Sequence, residues 1–244
     1  HAASETSSRA FVEKPVETIA SILDGTRNAL EFARAAKVGS MVYLSTMEVY
    51  GAPTAARVAE GDYGYLDPVA VRSCYPEAKR LAENLCVSYA SEYGVPVKIA
   101  RLTQTFGEGV RYDDGRVFAE FARAILERRD IVLKTEGTTA RCYCYLGDAL
   151  DALEAILEKG ATATPYTVAN EDTFCTVREM AEALCAAHPE SGSKVVFDFD
   201  GAARGFAPPF RMRLDCSRLR ALGWEPKVGL MEMFDRMMGA MRGR

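Results

Sequence analysis

The chain has 244 residues, of which 48% are hydrophobic, so it can bury a substantial core. Its formal net charge of −4 argues against nucleic acid as a partner, because a surface that follows phosphates has to be basic. The sequence has no apolar run of about 18 residues that would predict a membrane span, and its first residues are too polar for a secretion signal.

The first part of the chain predicts alternating helices and strands. Apolar residues recur at helical spacing over residues 17–37, and residues 41–45 form a short apolar run typical of a buried strand. A second helix is predicted over residues 75–93, where Gly94 marks its end, and a second strand over 97–101. Strands that alternate with helices in this way predict an α/β fold with a parallel sheet and helices on both faces.

The pattern becomes less regular beyond Gly107. Thr176 and Glu179 have the spacing of a capping box, which predicts the start of a helix there. The predicted helices of this part cover residues 117–128, 147–159, 176–187 and 230–241, and the predicted strands cover 131–134, 141–146, 166–169 and 194–199.

The seven cysteines include no Cys-x-x-Cys pair. Cys142 and Cys144 alternate with tyrosines and would lie on one face of a strand, but the only histidines of the sequence are His1 and His188. This composition does not match a zinc site, and we predict no metal. Reduced structural thiols are typical of a cytoplasmic protein, which is the location that we expect.

Two short motifs carry the chemistry. The first is the strand that ends at Thr46 and continues into Val49-Tyr50-Gly51. The second is Tyr75 and Lys79, four residues apart on a predicted helix, so that both side chains lie on one face. A phenol with an ammonium beside it and a hydroxyl opposite can move a proton to or from a carbinol oxygen. We expect the ammonium to lower the pKa of Tyr75.

Together these motifs resemble the extended short-chain dehydrogenase/reductases of the NAD-dependent epimerase/dehydratase family, which act on nucleotide sugars. Residues 101–107 are similar to the family's Arg-Pro-x-Asn-Val-Tyr-Gly text, with Gln104 at the asparagine position. The resemblance implies a partial Rossmann-type parallel sheet with helices on both faces, and a small α/β substrate-binding domain. Residues 1–107 would form the carboxyl-terminal part of the Rossmann domain. Residues 108–244 would mainly form the nucleotide-sugar domain, with segments that return to the sheet.

The start of the chain bears on the cofactor. The sequence opens with His-Ala-Ala-Ser, which in the family closes a strand beside the nicotinamide ribose. Ala2 and Ala3, together with Tyr75 and Lys79, are therefore the predicted contacts to NAD. The family's Gly-x-x-Gly-x-x-Gly loop, which cradles the pyrophosphate, is not found in this sequence. We expect the chain to correspond to a fragment of an NAD-dependent enzyme that binds NAD weakly or not at all and is inactive.

The resemblance also implies the roles of individual residues. Tyr75 would exchange the proton of the sugar hydroxyl, with Thr46 and Lys79 as its catalytic partners. Arg141 matches the arginine of a family signature that contacts the substrate diphosphate, and a guanidinium can bind phosphate oxygens bidentately. Arg211 fits a second such position better than Arg213 does, although an ordinary surface ion pair is an alternative for either arginine. The remaining implied substrate contacts are Glu48, Gln104, Arg116 and Val117.

The residues after Thr46 distinguish the reactions of the family. Its sugar-nucleotide 4,6-dehydratases carry Asp-Glu there, an acid and a base that eliminate water, whereas this chain has Met47 and Glu48. Methionine cannot protonate a leaving hydroxide, and Glu48 could act as a base or merely cap the loop. We therefore favour a nucleotide-sugar 4-epimerase. A 4,6-dehydratase, a decarboxylase and a non-catalytic sugar-nucleotide-binding remnant are the alternatives.

The resemblance finally implies a homodimer that pairs the helices 17–37 and 75–93 of two copies. Each helix would then need a second apolar stripe, one for the sheet and one for the partner. The residues that would form this stripe are Ala29, Ala33 and Ala36 on the first helix and Leu81, Leu85, Val87 and Tyr89 on the second. Packing of the same residues within one copy is the alternative.

Overall fold

The computed structural model describes residues 1–4, 6–7, 9–199 and 209–243. The chain forms two compact units. The first unit comprises His1–Thr103, Leu150–Val168 and Asp215–Glu225, and the second comprises Gln104–Ala149, Ala169–Leu214 and Pro226–Arg244. The assignment of residues 1–107 and 108–244 to a Rossmann and a substrate domain stays a prediction.

Helices and strands alternate along most of the chain. The helices are α1 (Ala10–Glu13), α2 (Pro15–Ala35), α3 (Cys74–Tyr93), α4 (Val117–Leu126), α5 (Leu146–Lys159), α6 (Val177–Ala187), α7 (Ser217–Arg220) and α8 (Leu230–Arg242). The strands are β1 (Met41–Thr46), β2 (Val97–Leu102), β3 (Gln104–Phe106), β4 (Ile131–Leu133), β5 (Ala140–Tyr145), β6 (Pro165–Val168), β7 (Asn170–Thr176), β8 (Val195–Phe197) and β9 (Arg211–Met212). Short 3-10 helices lie at Met47–Tyr50, Val71–Ser73 and Pro189–Ser191.

A parallel sheet organises the first unit. Its strands follow the order β1-β2-β6, and β1 pairs with β2 from Met41 opposite Val97 to Thr46 opposite Leu102. Helix α3 packs on β1 and β2, and α2 packs along α3. Gly94 ends α3 in the left-handed conformation, as its position in the sequence predicts. The core between these elements includes Phe11, Ile22, Leu30, Tyr43 and Ile99.

The second unit is built around mixed strand pairs. Strand β5 pairs in parallel with β3 and β9 and antiparallel with β7, while β4 pairs in parallel with β8. Thr176 and Glu179 form the predicted capping box at the start of α6. The core of this unit includes Phe106, Phe118, Phe121, Leu184, Phe234 and Met237.

The predicted α/β fold with parallel strands and flanking helices is confirmed, and most predicted elements are observed within a few residues of their expected bounds. The sequence pattern does not predict α1, α7, β3, β7 or β9. Strand β7 begins with the polar run Asn-Glu-Asp-Thr, which lacks the apolar alternation of a strand, and its conformation depends on antiparallel pairing with β5. Among the described residues, no helix has the length and the apolar character needed to cross a membrane.

Candidate active site

The end of β1 places Thr46 at the entrance of a tight turn. Thr46 caps the 3-10 helix that follows, because its hydroxyl oxygen accepts a hydrogen bond from the Glu48 amide at 3.3 Å. Gly51 closes this turn at φ 67°, and a Cβ there would lie 2.6 Å from the Tyr65 carbonyl oxygen. The turn therefore requires glycine at this position, and it fixes the direction in which Thr46 and Glu48 leave the strand.

Helix α3 brings Tyr75 and Lys79 to the same place. Both are buried, and the Thr46 side chain is close enough to the Tyr75 phenol to lower its pKa. The Lys79 ammonium donates to the Leu44 carbonyl at 2.9 Å and to the Ser4 hydroxyl at 3.2 Å. It lies 5.9 Å from the centre of the Tyr75 ring. The three residues predicted to be catalytic thus converge within the first unit.

The direction of the Tyr75 shift differs from the one that the sequence predicts. Burial raises the pKa of Tyr75 to about 12, and the Glu48 carboxylate adds to this effect, while the Thr46 side chain and Arg72 oppose it. Burial also lowers the pKa of Lys79 to about 8, against the opposing effect of Glu83. Desolvation outweighs the lowering effects of Thr46 and Arg72, so the expected lowering of the Tyr75 pKa is wrong.

Glu48 pairs with an arginine that sequence reasoning missed. Nη2 of Arg72 donates to both carboxylate oxygens of Glu48, at 3.2 and 3.0 Å. The Arg72 guanidinium lies 4.7 Å from the centre of the Phe11 ring, and Phe11 stacks on Tyr75 with ring centres 4.1 Å apart. Arg72 is three residues before Tyr75 but lies in a 3-10 helix ahead of α3, so helical periodicity gives no signal for it.

The hydrogen bonds of Lys79 are compatible with the predicted contact to NAD. An ammonium has three donors, and among the described residues Lys79 finds two acceptors, Ser4 and Leu44. One donor is therefore left for a ribose hydroxyl of NAD. Ala2 and Ala3, the other predicted cofactor contacts, are exposed and lie directly before Ser4. The residues present thus fit the nicotinamide ribose, while their roles stay predictions.

The two predicted diphosphate arginines lie on adjacent strands of the second unit. Strands β5 and β9 pair in parallel with Arg211 opposite Ala140 and Arg141 opposite Met212, so the two arginine side chains leave the sheet on opposite faces. Arg141 lies over the Phe210 ring at 5.0 Å, and its buried Nε has no hydrogen-bond partner in the part of the chain that the structure describes. Arg211 is exposed. A buried donor without a partner is compatible with an anionic ligand at Arg141.

The environments of the other predicted substrate residues, Arg116, Val117 and Gln104, do not indicate a ligand. Arg116 is exposed and pairs with Asp114 at 2.7 Å, and its neighbour Val117 begins α4. Gln104 is half-buried in β3, opposite Tyr143 of β5. These contacts are local to the second unit, and the substrate roles of the three residues stay predictions.

Comparisons with known proteins place this geometry in context. The sequence pattern of the NAD dependent epimerase/dehydratase family matches residues 1–170. UDP-glucuronic acid decarboxylase 3 of Arabidopsis thaliana is 36% identical over 221 residues, which cover 89% of this chain and 62% of that protein. The chain therefore spans less than two thirds of the length of this relative.

Two solved structures show the same fold. An epimerase from Methanothermobacter thermautotrophicus matches with a TM-score of 0.85 and 21% identity, over 100% of this chain and 71% of the other. A UDP-glucuronic acid 4-epimerase from Bacillus cereus, in complex with NAD, matches with a TM-score of 0.80 and 18% identity, over 100% of this chain and 73% of the other.

Proposed function

This chain belongs to the NAD-dependent epimerase/dehydratase family, and we propose that the protein containing it is a nucleotide-sugar decarboxylase whose substrate is UDP-glucuronic acid. The observation that carries this proposal is the 36% identity to a UDP-glucuronic acid decarboxylase over 221 residues. Structures of epimerases match at lower identity and support the fold alone. The proposal therefore replaces the 4-epimerase that the sequence motifs favour.

The residues around Thr46 can perform the proton transfers that this reaction needs. NAD, when bound, supplies the oxidation of the sugar carbinol and the later reduction. In this proposal Tyr75 takes the proton of the C4 hydroxyl, with Thr46 beside its phenol and Lys79 on the same side of α3. Burial raises the pKa of Tyr75 to about 12, so the phenol is protonated at rest. Tyr75 can therefore take the proton of the sugar only as the phenolate, and it returns a proton as the phenol.

The decarboxylation itself requires little from the protein. With a ketone at C4, the sugar is a β-keto acid, because its carboxyl group is attached to the neighbouring C5. The bond from C5 to the carboxyl carbon breaks, and CO₂ leaves. The electrons of that bond form an enolate, which is later protonated at C5. A leaving CO₂ needs no proton, whereas a leaving hydroxide does.

Because a leaving CO₂ needs no proton, a methionine at position 47, which cannot donate one, is compatible with decarboxylation. Met47 is buried, and its sulfur accepts a hydrogen bond from the Thr103 hydroxyl at 3.3 Å. It cannot supply the acid that a 4,6-dehydratase uses to expel water. Glu48, the next residue of this turn, carries a carboxylate that Arg72 holds. The arrangement thus favours decarboxylation over dehydration.

The test is the fate of the carboxyl carbon. We expect the protein encoded by the gene, incubated with NAD and UDP-glucuronic acid labelled with ¹³C at C6, to release labelled CO₂ and leave a UDP-pentose. Nuclear magnetic resonance of the sugar distinguishes the outcomes. A six-carbon product inverted at C4 would establish an epimerase instead, and loss of water with retention of the label would establish a dehydratase.

We also propose that the protein forms a homodimer through α2 and α3. Several large apolar side chains on these helices are exposed in the single chain, namely Ile19 and Phe32 on α2 and Leu81 and Val87 on α3. A shallow groove between the helices is lined by Leu23, Asp24, Arg27, Leu81, Asn84 and Leu85. A two-fold interface across both helices would cover this surface.

A further inference from the structure

A buried ion pair lies behind the candidate active site. Arg101 of β2 is 1% exposed, and it donates to Glu83 of α3 through Nε at 3.0 Å and through Nη2 at 2.7 Å. Its other hydrogen bonds go to the Glu60 carbonyl and the Tyr63 hydroxyl. Removing two charges from water is expensive, so a buried pair is weak evidence for stability. Stability alone therefore does not explain why this pair is buried, and the residues that contact it indicate another role.

Glu83 connects this pair to the end of β1. Its Oε1 also accepts a hydrogen bond from the Ser45 hydroxyl at 2.5 Å. Ser45 directly precedes Thr46, whose side chain acts on the Tyr75 phenol and lowers its pKa. The carboxylate therefore ties together β1, β2 and α3 at the point where the strand presents Thr46.

Glu83 also lies directly behind Lys79. Tyr75, Lys79 and Glu83 are spaced four residues apart on α3 and form one buried side of the helix. Burial lowers the pKa of Lys79 to about 8, and the Glu83 carboxylate is the largest effect that raises it. The other ionisable groups that face Lys79 are Cys86 and Tyr75 on α3, Tyr43 on β1 and the amino group of His1.

We propose that Glu83, held in place by Arg101, is a positioning residue for the reaction: it fixes the end of β1 that carries Thr46 and places a carboxylate one helical turn behind the Lys79 ammonium. The inference rests on the proposed function, because it assigns a role within the same site. Glu83 does not contact substrate in this role. Its effect on the reaction passes through Lys79 and Thr46.

The sign of the effect follows from the charge. The ammonium is the charged form of Lys79, so loss of the neighbouring carboxylate makes that form less stable and lowers the pH at which Lys79 loses its proton. Activity that requires the ammonium should then decline at a lower pH. Binding of substrate should change little, so the effect belongs to kcat rather than to KM.

The experiment measures Lys79 directly. Lysine labelled with ¹³C at Cε reports the protonation of each amine by nuclear magnetic resonance, and Lys79→Arg identifies its signal. We expect the titration midpoint of Lys79 to fall by at least about half a pH unit in Glu83→Gln. The high-pH limb of kcat for UDP-glucuronic acid should move in the same direction, with KM within about twofold of the original value.

A matched control and a second variant separate this role from a structural one. Glu77→Gln removes another carboxylate of α3, which is 38% exposed and pairs with Arg80, and it should leave the Lys79 midpoint unchanged. Glu83→Gln leaves Arg101 without its partner and could unfold the protein. The double variant Glu83→Leu/Arg101→Met removes both charges, so it should fold and should still lower the midpoint.

An unchanged Lys79 midpoint in the folded double variant, or in folded Glu83→Gln, would overturn the positioning role. The titration needs no substrate and is therefore independent of the proposed function. Wild-type protein that releases no CO₂ from UDP-glucuronic acid would refute the decarboxylase while leaving the titration to decide the role of Glu83.

Discussion

Helix α3 has two sides of opposite and unusual character. The side that faces the sheet buries a phenol, an ammonium and a carboxylate, from Tyr75, Lys79 and Glu83. The opposite side carries Leu81, which is 54% exposed. In most amphipathic helices the distribution is the reverse, with apolar residues inside and polar residues in water.

Each side of the helix therefore requires a compensating contact. On the inner side the contacts are within the chain, because Arg101, Ser45 and Leu44 supply partners for the buried carboxylate and ammonium. On the outer side the described residues leave Leu81 in solvent, as they do Ile19 and Phe32 of the neighbouring α2. Exposed apolar side chains of this kind are typical of a surface that binds a partner. The inner side is therefore interpreted as the chemical side and the outer side as the assembly side.

The largest expected effect, on turnover, comes from a substitution of Tyr75, the first residue on the inner side of α3. Tyr75→Phe removes the phenol that exchanges the proton of the sugar hydroxyl, and we expect turnover to fall by about 10²–10⁴-fold. The measurement is the rate of CO₂ release from UDP-glucuronic acid by the protein encoded by the gene.

Tyr93→Phe is the matched control for this substitution. Tyr93 is the last residue of the same helix and is 45% exposed, so loss of its hydroxyl should leave turnover close to the original rate. Tyr75→Phe protein with near-normal turnover would refute the role of Tyr75 and, with it, the interpretation of the inner side as the chemical one.

A smaller effect, on stability, is expected at the buried pair. Arg101→Met leaves Glu83 without its bidentate partner in the interior, and we expect the free energy of unfolding to fall by about 3–5 kcal/mol. Urea unfolding measures this change. Arg34→Met is the control, because Arg34 also pairs with a glutamate, Glu31, and also lies over an aromatic ring, that of Tyr93, but at the surface.

The control should hardly change the unfolding midpoint, because exposed ion pairs contribute little. Equal losses of stability for Arg101→Met and Arg34→Met would contradict the distinction between a buried and a surface pair. A double variant, Glu83→Leu/Arg101→Met, should recover most of the stability lost in Arg101→Met, since no uncompensated charge remains buried.

These contacts also show how far the sequence predicts the structure. The four-residue spacing of Tyr75 and Lys79, the capping box at Thr176 and the terminal Gly94 are local signals, and the structure agrees with each of them. The spacing of Lys79 and Glu83 is equally local. The pairing of Glu83 with Arg101, on a different element, is a contact in space that no periodicity encodes.

The same limit applies to the pKa of Tyr75 and to the partner of Glu48. A sequence shows that a lysine lies near a tyrosine, but the extent to which both are buried depends on the packing of α3 against β1 and of Phe11 against Tyr75. Desolvation then decides the direction of the shift. Arg72 and Glu48 are 24 residues apart in the chain and meet only because two short 3-10 helices bring them together.

The smallest expected effect on the folded chain concerns the outer side of α3. Leu81→Arg places a charge in the proposed two-fold interface, where it would meet its own copy, and we expect it to shift the protein from dimer toward monomer. Leu81 suits this test better than Ala33, which is only 3% exposed within the single chain and whose replacement by arginine would disturb the monomer itself. Light scattering should report a mass near that of one chain for Leu81→Arg and near twice that mass for the original protein. Since Leu81 is already 54% exposed, the unfolding midpoint of the monomer should hardly change.

Val132→Arg is the control, because Val132 is also exposed but belongs to the second unit, and the dimer should persist in that variant. An original protein that is monomeric at all concentrations would show that the apolar outer side of α3 does not pair with its own copy.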